Sequence, residues 1–135
     1  MMIFGIGIDI VKTKRFEKWV KNPSILERFF NPKEILKIEG GIEAITKNRM
    51  SALCQHYAAR FAAKEAFAKA LETGIVFDLR DVFVVNRESG KPELFVEKSA
   101  EAIFRKACPD FERAKIFVSM SHEKEFVVSQ VLIEI

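Results

Sequence analysis

The first apolar stretch of the chain alternates regularly between isoleucine and small or acidic residues. Within residues 5–10, isoleucine alternates with Gly5, Gly7 and Asp9. A period of two predicts a β-strand with the isoleucines on one face. Because glycine has no side chain, the other face leaves room beside Asp9 for a neighbouring chain segment or a ligand. With no preceding basic region and with an internal aspartate, we expect a buried strand and not a secretion signal.

The longest helical pattern runs from about residue 44 to residue 72, and Gly74 closes it. Large apolar residues cover about a third of its circumference, and alanines occupy most of the opposite side. The helix therefore lacks an ordinary solvent face. Its charged residues in this region are Arg60, Lys64, Glu65, Lys69 and Glu72. Two interpretations stay open for them: a site at a buried edge or interface, or long side chains that extend to water.

Shorter patterns complete the predicted secondary structure. They indicate a helix over 15–20 and a second helix that begins at a capping motif at Asn31 and ends at about Glu39, before Gly40 and Gly41. Strands follow over 82–86 and 93–96, joined through Gly90. A helix capped by Ser99 reaches residue 107, and a hairpin has strands over 116–120 and 126–133. No linker, repeat or low-complexity segment interrupts the chain. The pattern predicts a single domain spanning residues 1–135.

Composition narrows the class of protein. With 135 residues, 49% of them hydrophobic and 13 of them Phe, one compact domain is expected, and its small size favours an oligomer. A net charge of +3 is too mild to indicate nucleic-acid binding. The segment from Lys12 to Lys21 contains five basic residues and only one acidic residue, Glu17. They form either a surface for an acidic partner or a solvated helix face.

Several familiar kinds of site are excluded by spacing. Cys54 and Cys108 fit no metal or redox motif, so we expect a reduced, cytoplasmic chain. Cys54 and His56 lie two apart on a helix and point to different sides, so they do not chelate together. The glycines at 5 and 7 lack the third glycine of a dinucleotide fingerprint, because Ile10 stands there. The chain also has no phosphate-binding lysine loop of the Walker type and no signal for a serine nucleophile.

What remains is a set of oxygen ligands and cations. Asp9 on the strand and Glu65 on the long helix are suitable ligands for Mg²⁺, which prefers few protein carboxylates together with waters and phosphate oxygens. Lys69 lies one turn beyond Glu65 and would face the same pocket, or it forms only a helical ion pair with it. Arg60 and Lys64 are suited to phosphate groups, although either is also compatible with a structural role.

Four segments in order along the chain carry a specific pattern. They are residues 5–11 followed by Arg15, residues 60–70, residues 90–92, and residues 118–122. Together they resemble the holo-acyl-carrier-protein synthase family of phosphopantetheinyl transferases. The resemblance spans nearly the whole chain. It implies the 4'-phosphopantetheinyl transferase fold, an α+β fold with a small antiparallel sheet packed against a long central helix. It also implies a homotrimer with active sites in the clefts between subunits.

The resemblance also implies an activity. A serine hydroxyl of apo acyl carrier protein would attack the β-phosphorus of coenzyme A, giving holo carrier protein and 3',5'-adenosine bisphosphate for fatty acid biosynthesis. Asp9 and Glu65 would hold the cofactor Mg²⁺, and Glu65 would act as base directly or through a metal-bound water. Lys69 and Lys64 would neutralise phosphate charge, with Arg60 adding positive charge on the same helix.

The remaining implied contacts lie outside the long helix or near its start. His122 would contact the nucleotide phosphates, although a plain surface histidine is the alternative. Gly90, Lys91 and Pro92 would form the adenine-side loop, and Arg49 would be a further phosphate contact. Arg15 would belong to the helix that meets the acidic carrier protein. Two other classes remain: a non-catalytic relative that binds coenzyme A or a carrier, and a basic binding module.

Overall fold

The computed structural model describes residues 1–135. Its strands are β1 (Ile3–Lys12), β2 (Val82–Asn86), β3 (Pro92–Val96), β4 (Lys115–His122) and β5 (Phe126–Glu134), and its α-helices are α1 (Glu17–Val20), α2 (Pro23–Phe29), α3 (Lys47–Leu71) and α4 (Lys98–Ala107). The strands form two antiparallel sheets, one ordered β1-β5-β4 and one ordered β2-β3. An α+β arrangement around one long helix is therefore confirmed. No helix combines the length and apolar character needed to cross a membrane.

Helix α3 begins and ends where its sequence provides caps. The Thr46 side chain accepts a hydrogen bond from the backbone N–H of Arg49, and Glu72 leaves the helix with a left-handed φ of 60°. Buried residues occur on every side of the helix, including Tyr57 and Phe67. The prediction that this helix lacks a plain solvent face is therefore confirmed.

The close approach of β1 to α3 depends on two glycines. A Cβ atom added to Gly5 would lie 2.0 Å from the carbonyl oxygen of Ala70, and one added to Gly7 would lie 1.9 Å from that of Ala66. No side chain fits at either position, so the helix backbone occupies the space that the glycines leave. This contact places Asp9, which follows on the same strand face, against α3.

The opposite face of β1 departs from the predicted burial. Ile6, Ile8 and Ile10 are 56%, 56% and 64% exposed. They point away from α3 because the glycine face takes the helix. Leu132 on β5 and Phe117 on β4 lie in the same cross-strand row as Ile6. The outer face of the three-stranded sheet is therefore a broad apolar surface in the single chain.

The helix predicted from Asn31 to Glu39 is wrong beyond its first turn. Asn31 and Glu34 form the expected capping box, but only a 3₁₀ turn over Pro32–Glu34 follows. The carbonyl oxygen of Glu34 accepts a hydrogen bond from His56, and the N–H of Leu36 donates to the Tyr57 hydroxyl. Because α3 takes these backbone groups, the segment does not continue as a helix.

Two smaller expectations also change. The sequence pattern did not predict α2, which forms over Pro23–Phe29 with proline at its first position. Ser99 does not cap α4, since the N-cap residue is Glu97 and Ser99 lies within the first turn. The Ser99 hydroxyl donates instead to the carboxylate of Asp81.

Candidate active site

The first part of the site is an ion pair between β1 and the C-terminal half of α3. The ammonium of Lys69 donates to Oδ1 of Asp9 and to the carbonyl oxygen of Ile8, both at 3.0 Å. The Lys69 side chain is 54% exposed and that of Asp9 is 17% exposed. The sequence left two roles open for Lys69, a pocket shared with Glu65 or only an ion pair with it on the helix. The structure shows an ion pair with Asp9 on the strand instead. The exposed ammonium of Lys69 keeps one proton available to a ligand.

Glu65 is electrostatically coupled to this pair. Partial burial raises the pKa of Glu65 first, and the negative charge of Asp9 raises it further, while the positive charges of Lys69 and Arg15 lower it. Two neighbouring carboxylates that repel each other form a suitable donor set for a hard divalent cation. The chain contains no group of three or more His, Cys, Asp and Glu side chains placed to hold a metal. Mg²⁺ with waters and substrate phosphates completing its shell fits two carboxylates.

Arg15 lies on the same side of the molecule as Glu65. Its guanidinium carbon lies 5.1 Å from the centre of the Phe61 ring and 5.9 Å from that of Trp19. Phe61 precedes Glu65 by one helical turn, so this stacking holds the guanidinium near the carboxylate cleft. Arg15 itself is exposed. It therefore presents a fixed positive charge at the rim of the site.

Lys64 lies apart from the cleft that the sequence predicts for it. Its side chain is fully buried, and its ammonium donates to Oε1 of Glu34 at 2.6 Å and to the carbonyl oxygens of Leu79 and Val82 at 3.0 and 2.5 Å. Burial lowers the pKa of Lys64, and Glu34 opposes that change. All three ammonium protons are donated within the subunit, so none remains for a substrate phosphate.

Arg60 and Arg49 lie on another stripe of α3. Eleven residues separate them, so they lie on the same face three turns apart. Arg60 is only 8% exposed; it donates to the carbonyl oxygen of His56 at 3.3 Å, and its Nε has no hydrogen-bond partner. Burial and the charge of Arg60 lower the pKa of His56 to about 4. The stripe is positively charged, and it includes one buried donor without a hydrogen-bond partner.

His122 and the Gly90 loop lie elsewhere in the subunit. His122 is exposed at the end of β4, paired in register with Val127. Gly90 has a φ of 89° in the turn between β2 and β3, where Lys91 and Pro92 border a cavity of about 400 Å³. No hydrogen bond or ion pair joins these residues to Asp9 or Glu65. Within one chain, the structure groups Asp9, Glu65, Lys69 and Arg15 and leaves the other predicted contacts separate.

Two features of the site region were not predicted as functional. Glu34 was read only as a helix-capping residue, and its burial beside Lys64 depends on a contact between residues 30 apart. A cavity of about 790 Å³ also opens between the end of β1, the start of α3 and the turn before β5. Five of its lining residues are lysines, namely Lys12, Lys14, Lys21, Lys47 and Lys124. The basic run from Lys12 to Lys21 was the one sequence signal that pointed to this region.

Comparison with known proteins defines the class to which this fold and site belong. The sequence model of the 4'-phosphopantetheinyl transferase superfamily matches residues 5–118, which include most of β1, the whole of α3 and the Gly90 loop. The chain belongs to the 4'-phosphopantetheinyl transferase superfamily.

Individual relatives narrow the resemblance. A holo-[acyl-carrier-protein] synthase from Geobacter sp. (strain M21) is 42% identical over 137 residues, covering 98% of this chain and 99% of the relative. The holo-[acyl-carrier-protein] synthase from Treponema denticola is 41% identical over 134 residues, with coverage of 98% and 99%. The crystal structure of a holo-(acyl-carrier-protein) synthase from Bacillus anthracis in complex with CoA (3',5'-ADP) is 34% identical, with a TM-score of 0.71 and coverage of 98% and 97%.

Proposed function

We propose that this chain is a Mg²⁺-dependent holo-[acyl-carrier-protein] synthase, which transfers 4'-phosphopantetheine from coenzyme A to a serine of apo acyl carrier protein. The observation that carries the proposal is the group of charged side chains formed by Asp9, Glu65 and Lys69, in a chain that aligns over 98% of its length with holo-[acyl-carrier-protein] synthases. Two carboxylates and an open ammonium provide both signs of charge that a magnesium pyrophosphate requires.

The transfer is a displacement at phosphorus. The serine oxygen forms a bond to the β-phosphorus of coenzyme A, the bond from that phosphorus to the bridging oxygen breaks, and 3',5'-adenosine bisphosphate departs with the bridging oxygen. Mg²⁺ held by Asp9 and Glu65 would polarise the pyrophosphate and offset charge on the leaving group. Glu65 accepts the serine proton, directly or through a water. Lys69 binds a phosphate oxygen, and the hydrogen bond to Asp9 holds the Lys69 side chain in place.

The remaining coenzyme A contacts are proposed for Arg60, His122, Arg49 and the loop of residues 90–92. The unpaired, buried Nε of Arg60 supports an anion contact there. Because His122 and the Gly90 loop lie apart from Asp9 within one chain, a complete site requires them from a neighbouring subunit. The exposed isoleucine face of β1 supports a homotrimer, since exposed apolar surface of this extent usually marks an interface.

The carrier protein is proposed to dock near Arg15. The aromatic stacking under the Arg15 guanidinium restricts its motion, so a carboxylate on the carrier would meet a preorganised charge. Lys14 and Lys18 on the same short segment are exposed and add to the positive field. Two unpaired buried cysteines, Cys54 and Cys108, support a reducing compartment such as the cytoplasm.

The proposal is tested by weighing the carrier. Purified protein is mixed with apo acyl carrier protein and coenzyme A, with Mg²⁺ or with a chelator, and the carrier is examined by mass spectrometry. We expect one added phosphopantetheine with Mg²⁺ and almost none with the chelator. An unmodified carrier under both conditions, with several different carriers tried, would overturn the enzymatic assignment.

Two substitutions assign the chemistry to the cleft. Glu65→Gln is expected to lower turnover at least ~100-fold, because it removes both a metal ligand and the proposed base. Glu112→Gln is the matched control, since Glu112 is an exposed carboxylate that pairs with Arg105 on a different part of the surface. Equal turnover in the two variants would remove Glu65 from the reaction.

A further inference from the structure

Lys64, which precedes Glu65 on α3, forms a fully buried ion pair with Glu34. Neither side chain is exposed, and 2.6 Å separates the ammonium nitrogen from Oε1 of Glu34. The other two ammonium protons go to the carbonyl oxygens of Leu79 and Val82. The pair is therefore fully hydrogen-bonded on its lysine side, without water or ligand.

The carboxylate of Glu34 is equally well satisfied. Its Oε1 also accepts from the backbone N–H of Asn31, and its Oε2 accepts from the backbone N–H of Val84, both at 3.0 Å. The backbone carbonyl of Glu34 binds His56, which lies two turns before Lys64 on the same helix. Through this one residue, α3 is joined to the 3₁₀ turn at 32–34 and to β2.

These hydrogen bonds fix α3 in a way that its contact with β1 does not. Gly5 and Gly7 pack against Ala66 and Ala70, so the strand meets helix backbone and small side chains there. Such a smooth contact sets the distance between the elements but offers few interlocking side chains to stop the helix from rotating. A rotation of about 20° would move a carboxylate about 6 Å from the helix axis by about 2 Å. Catalytic groups need positions fixed to about 0.5 Å.

We infer that the Lys64–Glu34 pair positions Glu65 by fixing the rotation and height of α3, and that Lys64 is not a ligand of the substrate phosphates. Lys64 and Glu65 are adjacent, about 100° apart around the helix, so holding the first sets the direction of the second. The inference rests on the proposed transferase function, because the position of Glu65 has a measurable consequence only through the reaction.

The test separates turnover from substrate binding. Glu34→Gln keeps the size of the side chain and leaves Lys64 charged, and Lys64→Met/Glu34→Gln removes both charges. For each variant, kcat, the KM values for both substrates, and coenzyme A affinity in the presence of a chelator are measured at a temperature where circular dichroism shows a folded chain. Phe104→Leu is the matched control, because it weakens core packing against Phe67 and Phe111 and removes no hydrogen-bond partner of Lys64 or Glu34.

We expect Glu34→Gln and the double variant each to lower kcat at least ~10-fold, with coenzyme A affinity within twofold of the original, while Phe104→Leu lowers thermal stability and leaves kcat unchanged. Normal kcat in Glu34→Gln would overturn the inference, because the pair would then be structural only. A tenfold loss of coenzyme A affinity in the double variant but not in Glu34→Gln would also overturn it, because Lys64 would then be a phosphate ligand. Failure of the unmodified chain to modify the carrier would instead refute the proposed function itself.

Discussion

Two lysines on α3, five residues apart, have opposite environments. Lys64 is fully buried with Glu34, while Lys69 is half exposed with Asp9. The first gives all of its protons to acceptors in its own subunit, and the second keeps the capacity to bind something else. Residue type and helix position therefore do not determine the role of a lysine; the acceptors around its ammonium do.

The difference follows from the packing on the two sides of the helix. On the Lys64 side, Glu34 brings a carboxylate to the ammonium, and Leu79 and Val82 bring carbonyl oxygens. On the Lys69 side, the helix meets a glycine strand whose next inward side chain is Asp9. The sealed side is suited to holding the helix, and the open side to binding a charged substrate. Substitutions on the two sides of the helix should therefore lower stability and activity to different extents.

The largest expected effect is on stability at the sealed side. Lys64→Met should lower the free energy of unfolding by about 3 to 5 kcal/mol, because it leaves the Glu34 carboxylate buried without a countercharge. Lys69→Met should cost less than about 1 kcal/mol, because its ion pair is half exposed. Urea denaturation measures both. Equal losses for the two lysine variants would contradict the distinction.

On the open side, Gly7→Ala should lower the free energy of unfolding by about 3 kcal/mol or more, since its new methyl group would overlap the carbonyl oxygen of Ala66. Gly74→Ala provides the control. No atom lies within 4 Å of a Cβ added at Gly74. The substitution should therefore lower the free energy of unfolding by only about 1 to 2 kcal/mol, because alanine is strained at the left-handed φ of 67°. Thermal denaturation compares the two variants. A smaller loss for Gly7→Ala than for Gly74→Ala would show that the β1–α3 contact is looser than described.

The sealed side should also weaken in acid through His56. Its neutral ring donates to the carbonyl of Glu34, and its pKa of about 4 lies below the ordinary value of 6.5. Between these values the unfolded chain binds more protons, so stability falls as pH decreases through this window. From pH 7 to pH 5 the loss should be about 2 kcal/mol. His56→Gln keeps a donor without the titration and should show that much less dependence on pH; identical slopes would refute the assignment.

The smallest effect concerns the rim of the open side. Arg15→Glu should raise the KM for the carrier about tenfold, equivalent to about 1.4 kcal/mol, and change the KM for coenzyme A much less. Arg113→Glu makes the same charge change at an exposed position on another segment and should leave both values near normal. Steady-state kinetics with each substrate varied in turn provide the measurement. Similar increases for both substrates would argue against docking at Arg15.

Much of this architecture could be predicted from local patterns. The alternation around Asp9 and the long helix both depend on residues close in sequence. The first formed β1, and the second, predicted from about residue 44 to residue 72, formed over Lys47–Leu71 with its start set by the Thr46 cap. The helix predicted after Asn31 failed because α3 takes backbone groups of Glu34 and Leu36, a contact that no local pattern encodes. The exposure of the isoleucine face likewise depends on which side of β1 the helix covers.

The site was predictable to a similar extent. Spacing and resemblance drew attention to Asp9, Glu65 and Lys69, since a strand carboxylate beside a glycine face and charges on a buried helix are unusual features. The structure brings these three side chains together, and their role in the reaction stays a prediction. The sequence could not distinguish the role of Lys64 from that of Lys69. Its partner, Glu34, lies 30 residues earlier in a segment whose sequence indicated only a helix cap.

Coenzyme A affinity of the two lysine variants tests the central claim most directly. Isothermal titration calorimetry is performed with Lys69→Met and Lys64→Met at a temperature where both are folded, with a chelator present so that only protein groups bind the phosphates. We predict that Lys69→Met binds coenzyme A about tenfold more weakly and that Lys64→Met stays within twofold of the original chain. A tenfold weakening in Lys64→Met with unchanged binding in Lys69→Met would contradict the account.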